Sequence, residues 1–215
     1  SIGQFGVVIW VSLWLFCSTD LALAKASRDV EPFEALQERL IKEGFEQSFI
    51  QAVYARPEAT FGHKGITAYF LHRESTLDYG QFLSKESIGK ASAYLNQHAK
   101  AFEKTLQQYG VEGEVITAIL LVESRLGTYI GKHPILITFS NMAAIGDSTT
   151  RDMVWERYIK ARASRSKKEF DKWAARKSAW AFSELKAYLK YVEAQNLDPF
   201  SMTGSYAGAL GYAQF

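Results

Sequence analysis

Apolar residues recur at three- and four-residue spacing along most of this chain, the pattern of helices that bury one face. Phe33, Leu36 and Leu40 form such a stripe from Pro32 to Glu43, closed by Gly44, and Phe49–Ala55 reads as a short second helix stopped by Pro57. Thr60–Glu74 is ambiguous: two glycines interrupt it while Ile66, Ala68 and Phe70 alternate, so an extended segment or a small strand fits. Ser87–Tyr109 reads as one long amphipathic helix with Ile88, Ala91, Leu95, Phe102, Leu106 and Tyr109 on its stripe and Gly110 as terminator. Ile135–Ala144 continues apolar as another buried turn or helix, and Ser178–Asn196 turns Ala181, Leu185, Leu189 and Val192 inward before Pro199. No repeat and no Gly/Ser/Pro linker divides the chain, so the pattern predicts one all-α domain.

The stretch Glu114–Pro134 stands apart. From Val115 to Val122 every residue except Thr117 is apolar, which predicts a helix in the middle of the core. Ile116, Ile119, Leu120 and Glu123 share one side of that helix, so a carboxylate ends an apolar stripe. Gly127 suits the C′ position and places Glu123 in the last turn. Burial and the negative helix end both favour a protonated carboxyl, which is what a general acid needs. The alternative is a carboxylate that reaches the helix rim and pairs with a base.

Composition narrows the function. The formal charge is only +2, too weak to argue for a nucleic-acid partner. Arg151–Lys177 carries ten Lys/Arg against four Asp/Glu, with Trp155, Tyr158, Phe170 and Trp173 interleaved. At helical spacing those rings read as an inner face beneath a solvated basic one. His63, His72, His98 and His133 are scattered without ligand spacing, so no metal or other cofactor is expected.

Residues Ile2–Cys17 carry no charge, and the apolar run is short for a membrane span of about 20 residues. Ala22-Leu23-Ala24 supplies a small-x-small cleavage site, so residues 1–24 read as a signal peptide and 25–215 as the mature, periplasmic chain without a stable membrane span. An uncleaved N-terminal anchor is the alternative. The single cysteine, Cys17, lies within the signal, and the mature chain is long enough to bury about 70% of its unfolded surface without disulfides.

The tail from Thr203 to Phe215 combines three glycines and three alanines with Ser205, Tyr206, Tyr212 and Gln214. Small residues let a ligand approach the backbone, and hydroxyl, amide and ring groups can bind it; a close-packed helix contact explains the small residues equally well.

Taken together, Gln107-Gln108-Tyr109-Gly110-Val111, Val122-Glu123-Ser124-Arg125-Leu126-Gly127 with Gly131-Lys132, and Gly204-Ser205-Tyr206-Ala207-Gly208-Ala209-Leu210-Gly211 with Gln214-Phe215 resemble the B-type lytic murein transglycosylases. The resemblance runs from about Gly80 to the end and implies a lysozyme-like helical fold, with peptidoglycan glycan strands as the partner. It implies Glu123 as catalytic acid/base and Ser205 and Gln214 as glycan-lining residues, with Tyr206 and Tyr212 as weaker candidates. Glu112-Gly113 stands where the family usually has proline, and Leu210 where Met is commoner. The family's domain runs on beyond this point, often with a calcium-binding loop, so a C-terminally incomplete catalytic domain of low activity is expected.

Most glycosidases use two carboxylates. Asp147 and Asp152 follow Glu123, but in a polar stretch of loop and N-cap character. One acid suffices where the substrate supplies the nucleophile. The resemblance implies cleavage of the MurNAc–GlcNAc bond without water, leaving a 1,6-anhydro end. A hydrolytic muramidase and a catalytically silent murein-binding module are the alternatives.

Overall fold

The helix that lies deepest in this molecule is not the apolar run before Glu123 but the next one along the chain. The computed structural model describes residues 31–71 and 78–214. Within them α1 (Glu34–Lys42), α2 (Gln47–Tyr54) and α3 (Lys64–Leu71) precede a 3-10 turn at Tyr79–Leu83. Then come α4 (Lys85–Gln97), α5 (Ala99–Tyr109), α6 (Gly113–Ser124), β1 (His133–Pro134), α7 (Ile135–Ala144) and α8 (Ser148–Val154). A π turn at Trp155–Ile159, the long α9 (Lys167–Ala194) and β2 (Thr203–Gly204) complete the order.

The core forms where α7 packs along α9, with α1 and α3 against the other sides of α7. Ile135, Leu136, Phe139 and Met142 of α7 are buried with Phe170, Ala174, Ala181, Phe182, Leu185 and Leu189 of α9. A fully buried side chain of this size is worth about 1.5–3 kcal/mol, so stability concentrates here. Ser140, also buried, shares a 2.7 Å hydrogen bond with the Tyr54 hydroxyl and so meets no desolvation penalty. The aromatic residues of the basic segment behave as the spacing predicted, with Trp155, Phe170 and Trp173 buried. Helix α9 starts at a capping box in which Ser166 and Glu169 satisfy each other's backbone N–H groups. Lys167 then ties it to α8 through Asp152 at 2.7 Å.

Three expectations are corrected. Thr60–Glu74, open between an extended segment and a small strand, holds the helix α3 from Lys64 to Leu71, whose Ile66 and Phe70 are buried one turn apart. The single helix over Ser87–Tyr109 is two, broken at His98, whose φ of −106° and ψ of 13° leave the helical range. His98 packs its ring 4.3 Å from Tyr94, as a packed histidine would, yet no residue of α4 or α5 is buried.

The third correction is α6. It packs chiefly against α4 and α5 and leaves Val115 and Ile119 each 48% and Val122 40% exposed. Its inward stripe is Gly113, Thr117 and Ser124. A Cβ on Gly113 would stand 2.8 Å from Phe102, so this stripe lets α6 close onto α5. Hydrophobicity alone placed the inner face on the neighbouring positions, because it gives no weight to small residues.

Among the described residues no helix is long and apolar enough to cross a membrane. The predicted signal segment lies outside the described residues.

Candidate active site

Glu123 stands in the last turn of α6, one residue before its end. The helix stops earlier than the glycine suggested: Arg125 takes the left-handed conformation at φ 50°, followed by Leu126 at 59° and Gly127 at 81°. Leu126 N–H reaches six positions back to Leu120 C=O at 2.9 Å while Arg125 N–H donates to Leu121 C=O at 3.2 Å, so carbonyls left open by the helix end find donors in the left-handed turn. Left-handed backbone costs a non-glycine residue roughly 1–2 kcal/mol, and two such residues in succession mark a turn held by its surroundings. Ser124, only 1% exposed, does much of the holding. Its Oγ accepts from Gly127 N–H at 3.0 Å and donates to Leu120 C=O at 3.3 Å. Glu123 itself is exposed, so the burial expected of its carboxyl is absent.

The turn delivers the chain to β1, which pairs antiparallel with β2, His133 opposite Gly204 and Pro134 opposite Thr203. This two-residue bridge joins the two halves of the motif. Gly131 approaches so closely that a Cβ there would fall 2.0 Å from the carbonyl carbon of Gly204. Farther along, the Tyr212 ring lies over Gly127, where a Cβ would come within 2.6 Å of it. The loop after Gly204 is therefore pinned against the turn that follows Glu123 at two separate places.

Within that loop Ser205 is a stitch. Its Oγ accepts from Ala207 N–H at 3.2 Å and Ala209 N–H at 3.0 Å, while its own N–H donates to Ala209 C=O at 2.9 Å. The hydroxyl proton stays available to a ligand. Tyr206 meets Tyr69 edge to ring at 6.4 Å, and burial, then the neighbouring Tyr69 and Tyr129, push its phenol above the ordinary tyrosine value. Gln214, at φ 55°, donates from Nε2 to Gly211 C=O at 2.6 Å.

Gln214 and the backbone of Ala207–Leu210 line an open cleft of about 580 Å³ walled by Tyr69, Trp180, Tyr188 and Tyr191. Glu184 adds a carboxylate to it. Lys177 donates to the Tyr69 hydroxyl at 2.5 Å and lies 5.3 Å from the centre of the Trp180 ring. Flat aromatic faces beside an amide, a carboxylate and small residues suit a sugar, whose apolar faces stack and whose hydroxyls take the polar groups. Sequence reasoning missed Tyr69, Lys177, Trp180 and Glu184. A signal was there: Trp180 and Tyr191 fall off the inward stripe of their helix, and both are exposed. Glu123, Ser205 and Tyr212 do not line this cleft, so the five predicted residues share one loop-and-turn unit rather than one cavity wall.

The other acids are occupied. Asp147 caps α8 by accepting from Thr150 N–H at 2.8 Å, and the Lys167 ammonium holds the Asp152 carboxyl below its ordinary value. No group of metal-ligating side chains occurs among the described residues.

The model of the transglycosylase SLT domain matches residues 29–215. The chain belongs to this family. Membrane-bound lytic murein transglycosylase B of Escherichia coli is 26% identical over 135 residues, which cover 63% of this chain and 30% of that protein. Soluble lytic transglycosylase SltB1 of Pseudomonas aeruginosa shares the fold at a TM-score of 0.61 and 22% identity, over 86% of this chain and 54% of that one. SltB3 of the same organism, solved with NAG-NAM-pentapeptide, matches at 0.59 and 18%, over 86% and 44%. The transglycosylase SLT chain described here thus spans about half the length of these solved relatives and less of the E. coli enzyme. Its lysozyme-like helical fold is the one the resemblance implied.

Proposed function

We propose that this transglycosylase SLT chain carries the cleavage centre of a lytic transglycosylase acting on peptidoglycan glycan strands, with Glu123 as sole acid/base. The observation that carries the reading is the double pinning of the Gly204–Gln214 loop onto the turn after Glu123, at Gly131 and at Gly127. It sets the turn that follows Glu123 against a loop whose residues Ala207–Leu210 and Gln214 also line an aromatic, sugar-sized cleft.

In the proposed reaction the protonated Glu123 carboxyl donates to the glycosidic oxygen as the bond from muramic C1 breaks, and the substrate's own N-acetyl oxygen supports C1 from the opposite face. The Glu123 carboxylate then removes the proton of the muramic 6-hydroxyl, whose oxygen bonds to C1 and closes the 1,6-anhydro ring. The acid returns to its starting form and no water is consumed. Because Glu123 is exposed, the bound glycan itself excludes water from the reacting atoms. Mass spectrometry of products from purified murein tests this: anhydro-muramic ends are expected, and reducing ends made with added water would refute the mechanism.

We also place the protein in the cell envelope, exported by residues 1–24. N-terminal sequencing of the secreted protein should begin at Lys25, and a start before residue 20 would overturn the signal reading.

A further inference from the structure

The turn after Glu123 also borders an open cavity of about 670 Å³, which lies between the 3-10 turn, α4 and the end of α6. Leu121, Arg125 and Leu126 line it from the α6 side, and Gln81, Phe82 and Tyr94 from the 3-10 turn and α4. No residue of the Gly204–Gln214 loop reaches it. Open space cannot hold a turn by packing, yet Arg125 and Leu126 both carry left-handed backbone, at φ 50° and 59°. One bond spans the gap: Arg125 Nη2 donates to Gln81 Oε1 at 3.0 Å, across 44 positions of the chain. Among the described residues no other hydrogen bond or ion pair joins the turn to the 3-10 turn or to α4.

Gln81 is fixed in its turn. Its Nε2 donates to Asp78 C=O at 2.6 Å, and its own C=O accepts from Ser87 Oγ at 3.0 Å in the first turn of α4. Reversing the amide would set its NH₂ group against the guanidinium, so Oε1 stays aimed at Arg125. At the other end Thr128 Oγ1 donates to Arg125 C=O at 2.8 Å. Arg125 is thus held by its carbonyl and by its guanidinium at the point where α6 turns left-handed, two residues after Glu123. The last turn of a helix frays unless its open carbonyls are closed off, and proton transfer tolerates little displacement of the acid. We propose that Gln81 is a positioning residue for Glu123: by holding Arg125 it keeps the last turn of α6 closed and the carboxyl in place. The proposal rests on the murein reading above.

Steady-state kinetics on soluble glycan chains released from murein, scored by their anhydro ends, test this. Gln81→Met keeps the length of the side chain and removes the acceptor. A displacement of about 1 Å costs roughly a hundredfold in rate, so a turn that is loosened but not lost should lower kcat about tenfold while KM stays within about twofold. Both residues are exposed, so the thermal midpoint should stay at the parental value, whereas a merely structural bond would shift the midpoint and leave kcat alone. Gln81→Glu, which keeps an acceptor for Arg125, should recover most of the lost rate. Arg125→Met should match Gln81→Met, and the double variant should be no slower than either single one. An unchanged kcat in Gln81→Met, or a double variant whose loss is the product of the two single losses, overturns the positioning role and leaves the murein reading standing. A parent protein that makes no anhydro ends, or a Glu123→Gln variant that turns over at the parental rate, overturns both.

Discussion

At the scale of single residues the candidate centre is Glu123 and the atoms that fix its turn. Glu123→Gln keeps the shape of the side chain and removes the acidic proton. Since the residue is exposed and no packing depends on it, thermal stability should stay within about 0.5 kcal/mol of the parent while the rate of murein cleavage falls by roughly 10²–10⁴. Unchanged cleavage would remove Glu123 from the mechanism. Position and helix-end location of this residue were legible in the sequence, because an acid closing an apolar run is conspicuous. Its exposure was not, since the rotation of α6 depends on Gly113 fitting against Phe102, a contact between residues of two helices.

At the scale of elements the decisive piece is the β1–β2 bridge, two residues on each side, which no periodicity could announce. It depends on Gly131. Gly131→Ala would combine left-handed backbone at φ 87° with a Cβ 2.0 Å from the Gly204 carbonyl carbon. Gly44 offers a control at φ 97° with nothing within 4 Å. We expect Gly44→Ala to cost about 1–2 kcal/mol from backbone strain alone, and Gly131→Ala roughly 1–3 kcal/mol more from overpacking. In thermal denaturation the second variant should melt several degrees below the first, at about 2–4 °C per kcal/mol, and should also lose glycan affinity. Equal midpoints would show that the close approach contributes nothing.

At the scale of the whole molecule, scattered carboxylate–cation pairs join distant parts of the chain. Lys186 holds Glu43 at the C-terminal cap of α1 and Lys167 holds Asp152 on α8, each lysine lowering its partner's proton affinity, while at Asp198 beyond α9 the Phe200 N–H and then Arg56 do the same. The folded state therefore binds fewer protons than the unfolded chain at these sites, so their contribution is complete above the ordinary carboxylate value of about 4 and is lost as pH falls through the lowered values. Thermal midpoints measured from pH 7 down to pH 2 should hold steady to about pH 5 and then drop, with a smaller drop for Lys186→Met. These pairs are exposed, so the contribution of each is small and screened by salt. An acid drop that Lys186→Met leaves unchanged in size would assign it to other groups.

The sequence by itself determined the helical class, the inward stripes of α1 and α9, the buried run Ile135–Ala144 and the pairing of a terminal acid with a small-residue loop. Each of these follows from local periodicity or from residue types close together in the chain, and local rules are enough to specify them. Only the tertiary structure decided which apolar helix becomes the core, where the two halves of the motif touch, and which residues wall the sugar-sized cleft. Two helices of similar hydrophobicity, α6 and α7, differ in how many neighbours reach them, and that number is a property of the fold. Trp180 and Glu184 likewise meet Tyr69 across more than a hundred positions and Gln214 across thirty or more, and Lys177 reaches the Tyr69 hydroxyl, because α9 passes beside both ends of the cleft. Contacts of that range arise from packing, to which spacing along the chain is blind.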